Sequence, residues 1–91
     1  MKVLRLGMEC KANDGLYGWG QRKVTRLWLT RSGRITADCP EKGKIVYSVL
    51  GLHVDENGHG VGWGTVFESL NLAKAKNWMR EHGDTENAYP V

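Results

Sequence analysis

Apolar residues along the chain repeat first with a period of two and then, after Ser69, with a period near 3.6. Residues 2–8 alternate weakly, with Leu4, Leu6 and Met8 on one side, and predict a first strand. Residues 10–20 carry Asn13-Asp14-Gly15 and Gly18-Trp19-Gly20, types that tolerate left-handed backbone, and predict a loop. Residues 23–30 are rich in β-formers. Arg31-Ser32-Gly33 interrupts them and the pattern resumes from Arg34 to Cys39, which predicts a hairpin. Its loop length decides which side chains meet. A two-residue turn pairs Trp28 with Ala37 and Leu27 with Asp38. A three-residue turn with Gly33 in the left-handed well pairs Leu29 with Ile35 and Leu27 with Ala37, and sets Arg26 opposite Asp38. The second register is preferred, because it gathers the aliphatics on one face and pairs opposite charges on the other. Trp28 is then expected on the outer face beside Arg26, Thr30, Arg34 and Thr36.

Pro40-Glu41-Lys42-Gly43 predicts the next turn, and residues 44–54 a long strand that is apolar on both sides. Val46, Leu50, Leu52 and Val54 form one set; Ile45, Tyr47, Val49 and His53 form the other. A strand of this kind is expected inside the sheet. Its two sides need two covers, and the second is either the N-terminal loop or another copy of the chain in a homodimer. Asp55-Glu56-Asn57-Gly58 is a strong turn signal. In the strand that follows, Val61, Trp63, Thr65 and Phe67 alternate with Gly60, Gly62, Gly64 and Val66, giving one bulky and one bare face. Trp63 is expected beneath the helix. Ser69 is expected to cap that helix, on which Leu72, Ala75, Trp78, Met79 and His82 share about a third of the circumference. Lys74, Asn77, Arg80 and Glu81 lie opposite, and Gly83 is the expected stop. Residues 84–91 have little apolar surface and are expected to fray as a flexible C-terminal tail after a single domain over 1–83. The fold class predicted is α+β: a four- or five-stranded antiparallel meander with one C-terminal α-helix packed on one face.

The chain length of 91 residues allows one domain and one modest core. A composition of 41% hydrophobic and 25% charged residues argues against disorder. No apolar run approaches the roughly 18 residues of a membrane span. Arg5 and Gly7 break the first apolar stretch, so neither signal peptide nor membrane is expected, and the expected location is cytoplasmic. Cys10 and Cys39 form no Cys-x-x-Cys and are expected as free thiols, with a disulfide between them as the alternative. The net charge of +3 is unevenly spread. Residues 21–44 hold seven cations against two carboxylates, whereas residues 55–91 hold three against six. The first segment suits an anionic partner.

No constellation for catalysis stands out. His53 and His59 are the one close pair of metal-ligand types, and no second pair completes a zinc set, so no metal is expected. Gly58, Gly60, Gly62 and Gly64 miss the spacing of a dinucleotide fingerprint, so no cofactor is expected; they read as a bare strand face open to close approach. No Gly-x-Ser-x-Gly is present, and no enzyme activity is expected. Binding is better supported. Arg26, Trp28 and Arg34, with Tyr47 on the next strand, interleave basic and aromatic groups. That mixture suits protein hot spots and also single-stranded nucleic acid. Trp19 sits between two glycines as a candidate exposed anchor. Arg22, Lys23, Arg31, Lys42 and Lys44 complete the set of candidate partner-binding residues.

The segment Val66-Phe67-Glu68-Ser69-Leu70-Asn71-Leu72-Ala73-Lys74-Ala75-Lys76-Asn77-Trp78 has a strand ending in Phe-x-Ser that enters a short Ala/Lys helix bearing a Trp. This build resembles small proteins of phages and other mobile elements, anti-CRISPR proteins among them. The resemblance implies a non-enzymatic inhibitor that docks on a host defence nucleoprotein complex and blocks nucleic-acid binding or nuclease recruitment. Many such inhibitors are acidic, whereas this chain is basic. The partner expected is therefore a protein or nucleoprotein complex with an acidic surface. A small module that binds nucleic acid directly through its basic and aromatic sheet face is the alternative.

Overall fold

The β-formers after Gln21 build the strand on which the rest is assembled. The computed structural model describes residues 3–32 and 45–90. Five strands form one sheet: β1 (Met8–Lys11), β2 (Lys23–Ser32), β3 (Val46–Val54), β4 (Gly60–Ser69) and β5 (Tyr89–Pro90). Their order is β4-β3-β2-β1-β5, all neighbours antiparallel. Among the described residues one α-helix, α1 (Leu72–His82), lies on one face. The fold is α+β, an antiparallel meander with a C-terminal helix.

β2 has a strand on each side. Leu27 faces Cys10 of β1 and Gly51 of β3; Trp28 faces Glu9 and Leu50; Leu29 faces Val49. The hairpin expected from residue 34 to 39 lies outside the described residues. Its pairing of Arg26 with Asp38 and Leu27 with Ala37 is nonetheless overturned, because both sides of Arg26 and Leu27 are taken by β1 and β3. Leu27 and Leu29 still share the buried face and Trp28 the other. The periodicity of β2 itself fixes that phase, whichever strand pairs with it.

The core lies between the sheet and α1. Leu4, Met8, Cys10, Val24, Leu27, Leu29 and Val49 from the sheet side meet Ala75 and Met79 of the helix, with Phe67 and Trp78 packed against them. The Phe67 and Trp78 rings stack at 5.4 Å, and Trp78 stacks on His82 at 4.1 Å. Removing this much apolar side chain from water, at roughly 1.5–3 kcal/mol for each large aliphatic, is what holds the helix down. The helix cap lies two residues later than expected, at Asn71 rather than Ser69. Asn71 Oδ1 accepts from the Ala73 and Lys74 amides at 2.9 and 3.3 Å, while Ser69 Oγ accepts from the Asn71 amide. Gly83 ends it for a reason of space. Its backbone is extended, but a Cβ there would sit 2.7 Å from Cys10 Sγ and 2.9 Å from Leu27 Cδ1.

Two expectations at the chain ends are corrected. The first strand is Met8–Lys11, not residues 2–8, and so takes the first two residues of the expected loop. Gly7, at φ +88°, turns the chain just before it and donates its amide to the Leu29 carbonyl. Residues 84–90 pack instead of fraying. Thr85–Asn87 form a 3-10 turn, Ala88 is fully buried, and Tyr89 and Pro90 pair with Glu9 and Met8. The apolar surface that seats them belongs to β1 and the core, which the segment's own composition does not reveal. No described helix is long and apolar enough to cross a membrane.

Candidate protein-docking face

Register assigns the side chains of the sheet to two faces. Opposite residues in neighbouring strands share a face, so Arg26, Trp28, Leu50, Leu52, Trp63 and Thr65 look away from α1. Glu9, Lys11 and Tyr89 join them at the β1–β5 side. At the centre the Trp28 and Trp63 rings meet edge to face, 6.2 Å apart and 70° inclined. Trp28, Leu50 and Leu52 are half-buried, and Trp63 is 42% exposed. The Trp28 Nε1 is shut off from solvent without a hydrogen-bond partner among the described residues. An unpaired buried donor of this kind costs about 1–3 kcal/mol.

The expectation that Trp63 lies beneath the helix is overturned. β4 carries irregular pairing between Val49 and Leu50 and again between His53 and Val54. An extra residue at Val66 puts Phe67 on the helix side and Trp63 on the other, so simple alternation from Trp63 to Phe67 fails. Tyr47 is also corrected. It pairs with Arg31 and Ser69 and packs against the helix-side core, on the opposite face from Trp28. Arg31 shares that helix side and is exposed.

The basic character of the Trp28 face is largely neutralised. The Arg26 guanidinium donates to Glu9 Oε1 and to the Tyr89 hydroxyl and lies 5.4 Å from the Tyr89 ring centroid. The Glu9 hydrogen bond raises its pKa above the ordinary arginine value, so it stays cationic but occupied. Arg22, just before β2, and Lys23, its first residue, are exposed, and Arg22 lines a cleft with Trp19 and Trp63. Arg34, Lys42 and Lys44 lie outside the described residues. The structure therefore brings together Arg26 and Trp28, adds Trp63, and of the other described candidate cations sets Arg22 in a cleft with Trp63.

Trp19 is placed by contacts that the sequence signals only through glycine. It is 62% exposed, yet its Nε1 donates to the Thr65 carbonyl at 2.9 Å and its amide donates to His53 Nε2 at 3.0 Å. The ring covers Gly64, where a Cβ would stand 2.9 Å from the indole. The bare face of β4 thus admits a tryptophan of this chain. His53 is buried, with Nδ1 2.9 Å from the Gly51 carbonyl, so Nδ1 donates and Nε2 accepts. Among the described residues no group of three or more His, Cys, Asp or Glu could hold a metal ion. Cys10 is buried, and burial, assisted by the Asp84 carboxylate, pushes its thiol up to about 11. A thiol held protonated is a poor nucleophile. No family model, curated protein or solved structure matches the chain.

Proposed function

We propose that this is a non-enzymatic binding protein, acting in the cytoplasm, that docks a protein partner on the sheet face around Trp28 and Trp63. The observation that carries the reading is the edge-to-face Trp28–Trp63 pair flanked by half-buried Leu50 and Leu52. Aromatic anchors with an aliphatic surround and a polar rim are the composition of binding hot spots. Lys11, exposed at the rim, favours a partner with acidic groups around an apolar centre. Direct binding of nucleic acid has less support, since Arg26 is already engaged by Glu9 and Tyr89 and Tyr47 faces the other way. Inhibition of a host defence nucleoprotein complex is the specific role we attach to this surface; small size and build support it.

The test compares what nuclease-treated host lysate leaves on immobilised wild-type protein, on Trp63→Glu and on Lys74→Glu, a control on the exposed side of α1. A protein retained by wild type and by Lys74→Glu but lost with Trp63→Glu is the expected result. Retention unchanged by Trp63→Glu, or retention that disappears with nuclease, overturns the proposal.

A further inference from the structure

We propose that His53 is a pH-sensitive latch for the loop tip at residues 18–21: neutral, it fastens Trp19 to the sheet, and protonated, it lets the tip go. This goes beyond the docking reading and does not rest on it. His53 is 4% exposed, and both of its ring nitrogens are engaged. Nδ1 lies 2.9 Å from the Gly51 carbonyl, which can only accept, and Nε2 lies 3.0 Å from the Trp19 amide, which can only donate. The two contacts together require one neutral tautomer. The Trp19 indole adds a tilted ring contact, 5.6 Å between centroids. Gly18 brings the backbone close enough that a Cβ there would strike Nε2.

An imidazolium cannot keep these contacts. With a proton on each nitrogen it has no acceptor to offer, so Nε2–H and the Trp19 N–H would meet as two donors. The new charge would also stand in a buried site, where it needs a counter-ion. Among the described residues lining its cleft of about 280 Å³ none is acidic, and the loop brings a second cation, Arg22, into it. β2 sets Val24 beside the ring, with Lys23 alternating to the other face, and β4 sets Gly62 there. α1 packs on the cluster that holds Leu27, Leu29 and Val49, to which His53 does not belong. Two residues on, the Asp55 carboxylate accepts from the Asn57 and His59 amides and lies 3.9 Å from the His59 ring.

The tip is built to move once released. Trp19 ties it to the sheet through its amide on His53 and its indole on the Thr65 carbonyl. The hydrogen bonds from the Gly18 amide to the Arg22 carbonyl and from the Arg22 amide to the Trp19 carbonyl close within the loop itself. Gln21 is held at φ +59°, a left-handed backbone that glycine adopts freely and glutamine does not, so the closed tip stores strain that opening relieves. Losing the imidazole acceptor leaves the indole bond alone to hold the ring. Trp19 then withdraws and uncovers Gly64 and the Thr65 carbonyl. The base of the loop stays fastened by the Val24 amide on the Leu16 carbonyl, which keeps the change local. Histidine is the side chain whose ordinary charge change falls between pH 8 and pH 5.

The experiment is NMR of the isotope-labelled full chain from pH 8 to pH 5, following the His53 ring and the exchange of the Trp19 amide and indole protons. Protection of both Trp19 protons, each against the intrinsic rate at the same pH, should fall by about tenfold or more, while the Leu27 and Leu29 amides stay protected. The midpoint of that fall should coincide with the titration of the His53 ring. His53→Gln should abolish the pH dependence, and His59→Gln, at an exposed turn, should keep it. Protection of Trp19 that is flat from pH 8 to pH 5 overturns the proposal, as does a midpoint apart from that of the His53 ring or a fall that persists in His53→Gln. Should His53→Gln fail to fold, the two wild-type midpoints decide. The lysate comparison with Trp63→Glu and Lys74→Glu judges the docking face independently.

Discussion

The two edges of the sheet are built in opposite ways. At one, β5 is a two-residue strand held by a buried Ala88 and by Tyr89 against Arg26 and Glu9. At the other, β4 is ten residues long and presents glycine, valine and tryptophan to solvent. The first edge spends a chain end and a proline on closing itself. The second is long but irregular: its pairing skips Val61 and Val66, and it carries one charge, Glu68. The difference teaches that one small sheet can protect its two edges by different means, brevity and proline on one side, bulges and a covering indole on the other.

The contrast breaks most completely if the β5 edge is opened. Ala88→Asp puts an unpaired carboxylate where the native side chain is fully buried. It should cost about 4 kcal/mol in urea denaturation and release β1 amides to exchange. A loss below about 1 kcal/mol would show that β5 does not close that edge. The same side of the sheet should respond to pH through Cys10. Its thiol is raised from about 9 to about 11 in the folded chain. The unfolded chain therefore loses its proton first, and the contribution present below pH 9 is lost as pH rises toward 11, by somewhat under about 3 kcal/mol. Cys10→Ala should flatten stability over that window, and an unchanged slope would contradict the burial argument.

Gly64→Val acts on the β4 edge by forcing a side chain into the Trp19 ring. A loss of about 2 kcal/mol is expected, with faster exchange of the Trp19 indole proton in NMR as it leaves the Thr65 carbonyl. Retention of that slow proton would mean that the ring tolerates the added methyls. The smallest effect belongs to Glu9→Gln, which removes a charge from the Arg26–Glu9–Tyr89 cluster beside β5. About 1 kcal/mol is expected from thermal denaturation, and a stabilised variant would rule out a favourable role for that ion pair.

What could be read in the sequence follows the range of the physics involved. The apolar stripe Leu72, Ala75, Trp78 and Met79 and the alternation in β2 and β3 are local, and they placed the helix, the phase of Leu27 and Leu29, and the interior position of β3. Pairing partners are not local. The expected hairpin gave β2 a neighbour from residues 34–39, whereas β3, which starts at Val46, takes that side. Bulges are equally hidden: nothing in Gly-Trp-Gly-Thr-Val-Phe announces the extra residue that sends Trp63 and Phe67 to different faces. Within the candidate face, Trp28 was legible from alternation, Trp63 was not, and the neutralisation of Arg26 needed a glutamate and a tyrosine from distant parts of the chain. The glycines of β4 did signal a close approach, and its occupant proved to be Trp19.

The pairing of Met8 with Pro90 fixes where a tether can be attached without harm. Four inter-strand spacings of roughly 4.8 Å separate β5 from β4, so an anchor near Pro90 stands about 19 Å from β4. A chip or bead coupled at that site would hold every molecule with the same orientation, its glycine-rich flank pointing into the bulk solution.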